Sequence, residues 1–384
     1  MILVEYVKER GLIVSSVIYF KLKTFMMKIV GRICSDRIHT KFKIYYLNFI
    51  KTSLLVLASL ILNCTSDSLQ KTKILFDTDA NNELDDQHAL AYLLFNGQDF
   101  EVEGITVNKT RSGGDIDEHY KEAERVVKLC GLSDKIKIYK GASGTFQEIK
   151  ENINEPTFDG DEAVNYIISS AKAYQDNKLV LLPVGKLTNI ALALYKDSTI
   201  TDNVRVVWLG SNYPEPGEYN QDGDPSALQY ILDSNVEFEI ALVRYDRPSG
   251  TDAVKAYLAD IKKYMPSKGP ELLNPIIGRH GNEFSNFGDY SVNLFMNIEE
   301  FDDGFDEGYD QARALFDMAA VAIVKNPSWA IPTQIPSPEL IDGVWKDRPE
   351  NPRKITLWEN FNKKEIMEDF YSSMENYVLV NSEQ

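Results

Sequence analysis

Five carboxylates, Asp77, Asp79, Glu83, Asp85 and Asp86, fall within ten residues directly after the apolar run Lys73-Ile-Leu-Phe76. Carboxylates this close repel one another, and the arrangement is inexpensive only if they share protons or surround a hard cation. Calcium suits such a loop, because it takes about six to eight oxygens and tolerates irregular geometry. A solvated loop in which Asp85 or Asp86 caps a helix would account for only two of the five acids. Their position at the end of a buried strand favours the cation.

Other polar clusters punctuate the chain. Gly104-Ile-Thr-Val-Asn108 ends on an amide, Leu182-Pro-Val-Gly-Lys-Leu-Thr-Asn-Ile-Ala191 combines a strand end with a helix start, and Glu218-Tyr-Asn220 is followed by Asp224-Pro225. Phe316-Asp317 precedes Met-Ala-Ala-Val-Ala. Each alone has a bland reading: Asn108 as a turn cap, Asp224-Pro225 as a helix N-cap and first-turn pair. Gly113-Gly114 reads as a flexible loop, because no Lys-Ser/Thr follows to make a phosphate cradle. Asp302, Asp303, Asp306, Glu307 and Asp310 read as a solvated rim or lid. His88 and His119 read as helix-surface residues.

The elements that position these clusters alternate. Strands are expected at 73–76, 102–107, 136–139, 179–183, 204–209 and 238–243. Helices are expected after Asp86 and at about 115–130, 162–174, 188–195 and 225–232. Strands separated by helices at this spacing imply an α/β fold, a mostly parallel Rossmann-like sheet flanked by helices. Substrates of such sheets bind beyond the carboxyl ends of the strands, where the polar clusters lie. After Asp252 the chain reads as more helical, with an irregular stretch at 279–310 and a final amphipathic helix from Lys363 to Met374.

Charge and composition narrow the partners. The 384 residues are 43% hydrophobic and carry a net charge of −17. Before Cys64 there are ten Lys or Arg against three acids, and from Cys64 onward 31 against 55. So acidic a body repels phosphate and has no basic stripe, which argues against nucleic acid and for a cation or a neutral, hydroxyl-rich small molecule.

The basic start, with Lys41, Lys43 and Lys51 ahead of Ser53-Leu-Leu-Val-Leu-Ala-Ser-Leu-Ile-Leu62, suits a signal-peptide core better than a final anchor. Its end at Asn63-Cys64 resembles a bacterial lipoprotein signal, so export to the periplasm or outer membrane with a lipid anchor at Cys64 is expected. Residues 1–63 are then extension and signal, 64–72 a tether, and 73–384 one α/β domain. Only Cys130 remains in that domain, so no internal disulfide stabilises it.

Taken together in order, Asp77-Thr-Asp79 with Asp85-Asp86, Asn108, the 182–191 segment, Glu218-Tyr-Asn220 with Asp224-Pro225, and Phe316-Asp317 resemble the inosine/uridine-preferring nucleoside hydrolases. The loop Ala80-Asn-Asn-Glu-Leu84 is two residues longer than that family's usual one and resembles a divergent branch. The resemblance implies a nucleoside hydrolase fold and hydrolysis of the N-glycosidic bond of a ribonucleoside. It implies calcium held by Asp79, Asp86, the Val184 carbonyl and Asp317, with Asp79 taking the proton of the attacking water. Asn108, Glu218 and Asn220 would orient the ribose, Asp85 would support the ribose and the loop, and Asn212 would reach the 5′-hydroxyl.

Phe316 stands where many members carry a His that protonates the departing base, and Phe cannot donate. Either another group protonates the base, with Tyr309 and His280 as candidates, or stacking on Phe316 raises its proton affinity, as in purine-specific members. Hydrolysis of another ribosyl or glycan-derived compound, and calcium-dependent sugar binding without turnover, are the alternatives. Assembly into a homo-oligomer is left open.

Overall fold

The computed structural model describes residues 70–174, 177–298, 301 and 311–382. Cys64 and its preceding apolar run, Tyr309 and the acids from Asp302 to Asp310 lie outside the described residues.

From Thr72 the chain alternates as the sequence pattern requires: β1 (Thr72–Thr78), α1 (Leu84–Leu94), β2 (Phe100–Val107), α2 (Ile116–Leu129), β3 (Ile138–Lys140), α3 (Asp161–Ala173), β4 (Leu179–Pro183) and α4 (Thr188–Lys196). It continues with β5 (Val204–Gly210), the short α5 (Tyr219–Gly223), α6 (Pro225–Asp233) and β6 (Glu237–Leu242). Then come β7 (Lys255–Tyr257), α7 (Leu258–Tyr264), β8 (Ile276–Ile277), β9 (Glu283–Phe284), α8 (Phe287–Met296), β10 (Ala312–Ala314) and α9 (Phe316–Lys325). The described chain closes with β11 (Ile331–Pro336), β12 (Glu339–Ile341), β13 (Val344–Lys346), β14 (Lys354–Glu359) and α10 (Lys363–Glu375).

The main sheet has the order β11-β14-β6-β5-β4-β1-β2-β3. All its neighbours pair in parallel except β11 with β14. The chain runs outward from β1 through β2 and β3, then restarts on the other side of β1 with β4. The gap beyond β1 and β4 is therefore the topological switch point where a crevice opens. Alternation along β1 sends Ile74 and Phe76 into one core, with α1, α2, α9 and α10, and Leu75 into the other, with α3, α4 and α6.

The C-terminal third departs from expectation. It is not mainly helical: β14 joins the sheet beside β6 and β11 closes its edge. Ile331-Pro-Thr-Gln-Ile-Pro336 carries two prolines and little apolar bulk, which suits an antiparallel edge strand and hides it from a search for buried runs. The stretch taken as irregular contains the helix α8. His88 and His119 are both buried, not on helix surfaces. His88 bridges the Leu84 carbonyl at 2.6 Å and Ser291 Oγ at 2.7 Å, and burial pushes its pKa down to about 4.

Asn189, in the first turn of α4, fastens the switch point. Its Nδ2 donates to Asp77 Oδ2 at 2.7 Å and to the Val107 carbonyl at 3.1 Å, while its Oδ1 accepts from the Ala142 N–H at 2.8 Å. Replacing Asn189 with Ala leaves those buried groups short of partners, and is expected to lower unfolding free energy by about 3 kcal/mol. Denaturant titration measures this, and a loss below about 1 kcal/mol would show that the bridge carries no such role.

Candidate active site

Helices α1 and α9 pack together, each with acids in its first turn: Asp85 and Asp86 on α1, Asp317 on α9. Neither helix has a side-chain N-cap, so the amino-terminal dipole ends favour the carboxylates that stand there. Carboxylate oxygens of Asp85, Asp86 and Asp317 lie within 4.8 Å of one another. Asp79 reaches the same place from the end of β1.

These acids line one cavity of about 600 Å³, together with Val184, Glu218, Tyr219, Asn220, Tyr245 and Phe316. The volume fits a small ligand. Asn82, Glu83, Asp246, Asp252, Lys255 and Arg313 complete its polar lining.

Burial here is severe. Asp79 is 1% exposed, Asp86 2% and Asp317 3%. Loss of solvent pushes Asp79 and Asp85 up to about 7, with repulsion between the acids adding to the rise. Asp86 and Asp317 are raised well above the carboxylate range for the same two reasons. Asp79 Oδ2 accepts from Thr110 Oγ1 at 2.5 Å, and its backbone carbonyl meets His119 Nδ1 at 2.8 Å. Thr78 Oγ1 donates to Asp86.

Gly185 makes room for this packing. A Cβ there would stand 2.7 Å from Asp79 Oδ1 and 3.0 Å from Asn108 Oδ1. The buried Asn108 Oδ1 has no hydrogen-bond partner among the described residues. An all-oxygen set of crowded carboxylates beside an unpartnered amide oxygen fits a hard divalent cation with its water. Asp85, Asp86 and Asp317 bring carboxylate oxygens within reach of one ion, and Asp79 and Val184 line the same cavity, where the Val184 carbonyl accepts from Asn220 Nδ2 at 2.8 Å.

Asp77, from the first cluster, and Asp224, from a later one, serve structure instead. Asp77 takes bonds from Thr106, Asn108 and Asn189. Asp224 caps α6 through the Ala227 N–H at 3.0 Å and also holds the Phe146 N–H and Thr188 Oγ1, both at 2.6 Å. Glu218 caps α5, accepting from the N–H groups of Ser211, Asn220 and Gln221, yet still faces the cavity.

The structure thus gathers Asp79, Asp85, Asp86, Val184, Glu218, Asn220, Phe316 and Asp317 around one space. Asn108 stands behind them, its Nδ2 spent on Asp77. Asn212 is not among the residues that line the cavity; its Nδ2 holds the Gly217 carbonyl and its Oδ1 accepts from the Tyr245 N–H at 3.2 Å. His280 opens onto a neighbouring cavity with Arg279 and Arg313. The Gly113 loop is a tight crossing, since a Cβ there would meet the Asn81 carbonyl at 2.6 Å. Sequence reading missed Thr110, Tyr245, Lys255 and Arg313, which belong to no motif.

A family model described as inosine-uridine preferring nucleoside hydrolase matches residues 74–367. The inosine-uridine preferring nucleoside hydrolase of Crithidia fasciculata is 25% identical over 291 residues, covering 69% of this chain and 82% of that protein. A plant nucleoside hydrolase superposes with a TM-score of 0.61 at 16% identity, covering 79% of this chain and 99% of the other. A purine-preferring ribonucleoside hydrolase from Gardnerella vaginalis gives 0.58 at 20%, covering 79% and 98%.

Raised carboxylate pKa values make the metal-free site sensitive to pH. A folded pKa near 7 against an unfolded value near 4 means that the folded state holds extra protons, so stability falls as pH rises from about 4 through about 7. Chelator-treated protein is therefore expected to melt at higher temperature at pH 5.5 than at pH 7.5. A divalent cation should raise the midpoint more at pH 7.5, with release of protons on binding. Equal midpoints at both pH values, without any cation response, would show that the cluster is not a metal site.

Proposed function

The chain belongs to the inosine-uridine preferring nucleoside hydrolase family, and on that premise we propose that it hydrolyses ribonucleosides with calcium held by Asp79, Asp86, Asp317 and the Val184 carbonyl. Cleavage of the N-glycosidic bond to give ribose and free base is the activity of an N-ribosyl hydrolase, the class to which the chain belongs. The observation that carries the finer reading is the convergence of the α1 and α9 acids with Asp79 in one cavity.

Bound calcium would supply Lewis-acid polarisation to the attacking water and a fixed charge for the vicinal hydroxyls. The chain's own groups account for the rest. Asp79, locked by Thr110 and packed against Gly185, takes the water's proton, and the bound cation would keep it ionised for that role. Breaking C1′–N builds positive charge on the ribosyl ring, which Asp85 and Glu218 face as carboxylates. Glu218 and Asn220 also accept and orient the ribose hydroxyls. Phe316 and Tyr245, edge to face at 5.8 Å, offer an apolar wall for the base.

The Cys64 motif supports export as a lipoprotein with a lipid anchor, which remains a proposal resting on sequence alone.

A panel of purine and pyrimidine nucleosides tests the reading. Free base is expected with calcium and not with chelator, and Asp79→Asn should lower kcat/KM by at least ~10³. Release of reducing sugar from glycans but from no nucleoside, or sugar binding without turnover in either form, would overturn it.

A further inference from the structure

The reaction proposed above leaves a negative charge on the departing base. Phe316 cannot neutralise it, and no histidine lines the cavity among the described residues. The lining does contain two cationic side chains, Arg313 and Lys255. Arg313 is paired with Glu83, and a guanidinium does not give up its proton in a protein.

Lys255 differs in chemistry and in placement. It is 7% exposed, and its Nζ lies 3.5 Å from Asp252 Oδ1. Asp252 is itself set by accepting from the Asp246 N–H at 2.7 Å through its other oxygen. Strand β7 pairs antiparallel with β10, so that Lys255 stands opposite Ala314, two residues before Phe316. The Leu315 N–H then donates to the Val254 carbonyl at 2.8 Å, tying the two segments where α9 begins. An ammonium carried on β7 therefore neighbours the chain segment that delivers the aromatic wall.

We propose that Lys255 is the catalytic residue that donates to the departing base. As C1′–N breaks, its electron pair leaves on the base, and an Nζ–H of Lys255 hydrogen-bonds to a base nitrogen or carbonyl oxygen and passes its proton there. Water adds to C1′ and yields its proton to Asp79. That proton returns to the Lys255 amine through solvent as products leave, restoring both groups. Asp252 holds the ammonium in place as a positioning residue.

This rests on the hydrolase reading of the site, and the test separates the two. Inosine needs help for its leaving group, whereas 4-nitrophenyl β-D-ribofuranoside releases a stable phenolate without it. In Lys255→Met, the ratio of kcat/KM for inosine to that for the riboside is expected to fall about 10²-fold from the wild-type ratio. Lys255→Arg, which keeps the charge but does not give up its proton, should leave inosine turnover impaired. Equal losses on both substrates, or no loss on inosine, would overturn the role, and riboside turnover itself reports that the variant has folded. Wild-type protein that cleaves neither substrate would sink the hydrolase reading and this inference with it.

Discussion

Four buried carboxylates, Asp79, Asp85, Asp86 and Asp317, crowd together in one cavity, and everything around them is arranged to make that tolerable. Isolated buried charges would be too costly to keep, so the acids must gain protons, dipoles or a cation. The fold supplies the second directly: α1 and α9 begin where Asp85, Asp86 and Asp317 stand, with their free N–H groups turned toward the acids. The two helices pack against each other, with Ala319, Ala320 and Ala322 of α9 all buried in the core.

The sheet supplies rigidity. β1 ends between β2 and β4, and the three strand ends are laced by one carboxylate, Asp77, bonded to Thr106 and Asn108 from β2 and its exit, and to Asn189 from α4. Burial lifts Asp77 to about 6, while these donors and Lys186 pull it back toward ionisation. A saturated acid next to unsaturated ones divides the labour: Asp77 fixes where β1 stops, and Asp79, two residues on, is aimed by that stop.

Much of this was legible because the spacing of acids and turns is short-range information. Strand, turn and first helical turn fit within fifteen residues of sequence, and the parallel order followed from alternating elements. What sequence could not show was which acids are saturated. Asp77 and Asp79 look alike until Asn189, more than a hundred residues away, is brought against one of them. The surroundings of Asn212 are long-range in the same way, since the loop that engages its amide closes only through Gly217 and Tyr245. Histidines 88 and 119 carry no local mark of burial. β11 was hidden by its prolines, and Lys255 and Arg313 sit singly on three-residue strands where no periodicity can form.

The distribution of charge inside the cavity then acquires a direction. Acids come from the end of β1, from α1, the start of α5 and α9, with Asp246 and Asp252 from the loop before β7 and Glu83 beside Arg313, while the ammonium and guanidinium come from the β7–β10 ribbon. Heterolysis of a glycosidic bond separates charge, positive on the ribosyl ring and negative on the base. A pocket with a crowded carboxylate cluster on β1, α1 and α9 and two cations on another ribbon can meet that dipole without reorganising at the moment of reaction, which is where preorganised polar groups contribute most. A phenyl ring at Phe316 then need not leave the site without a donor. With the neighbouring strand already fastened to the start of α9, a lysine two residues out of register can take over the proton while the ring keeps the base dry.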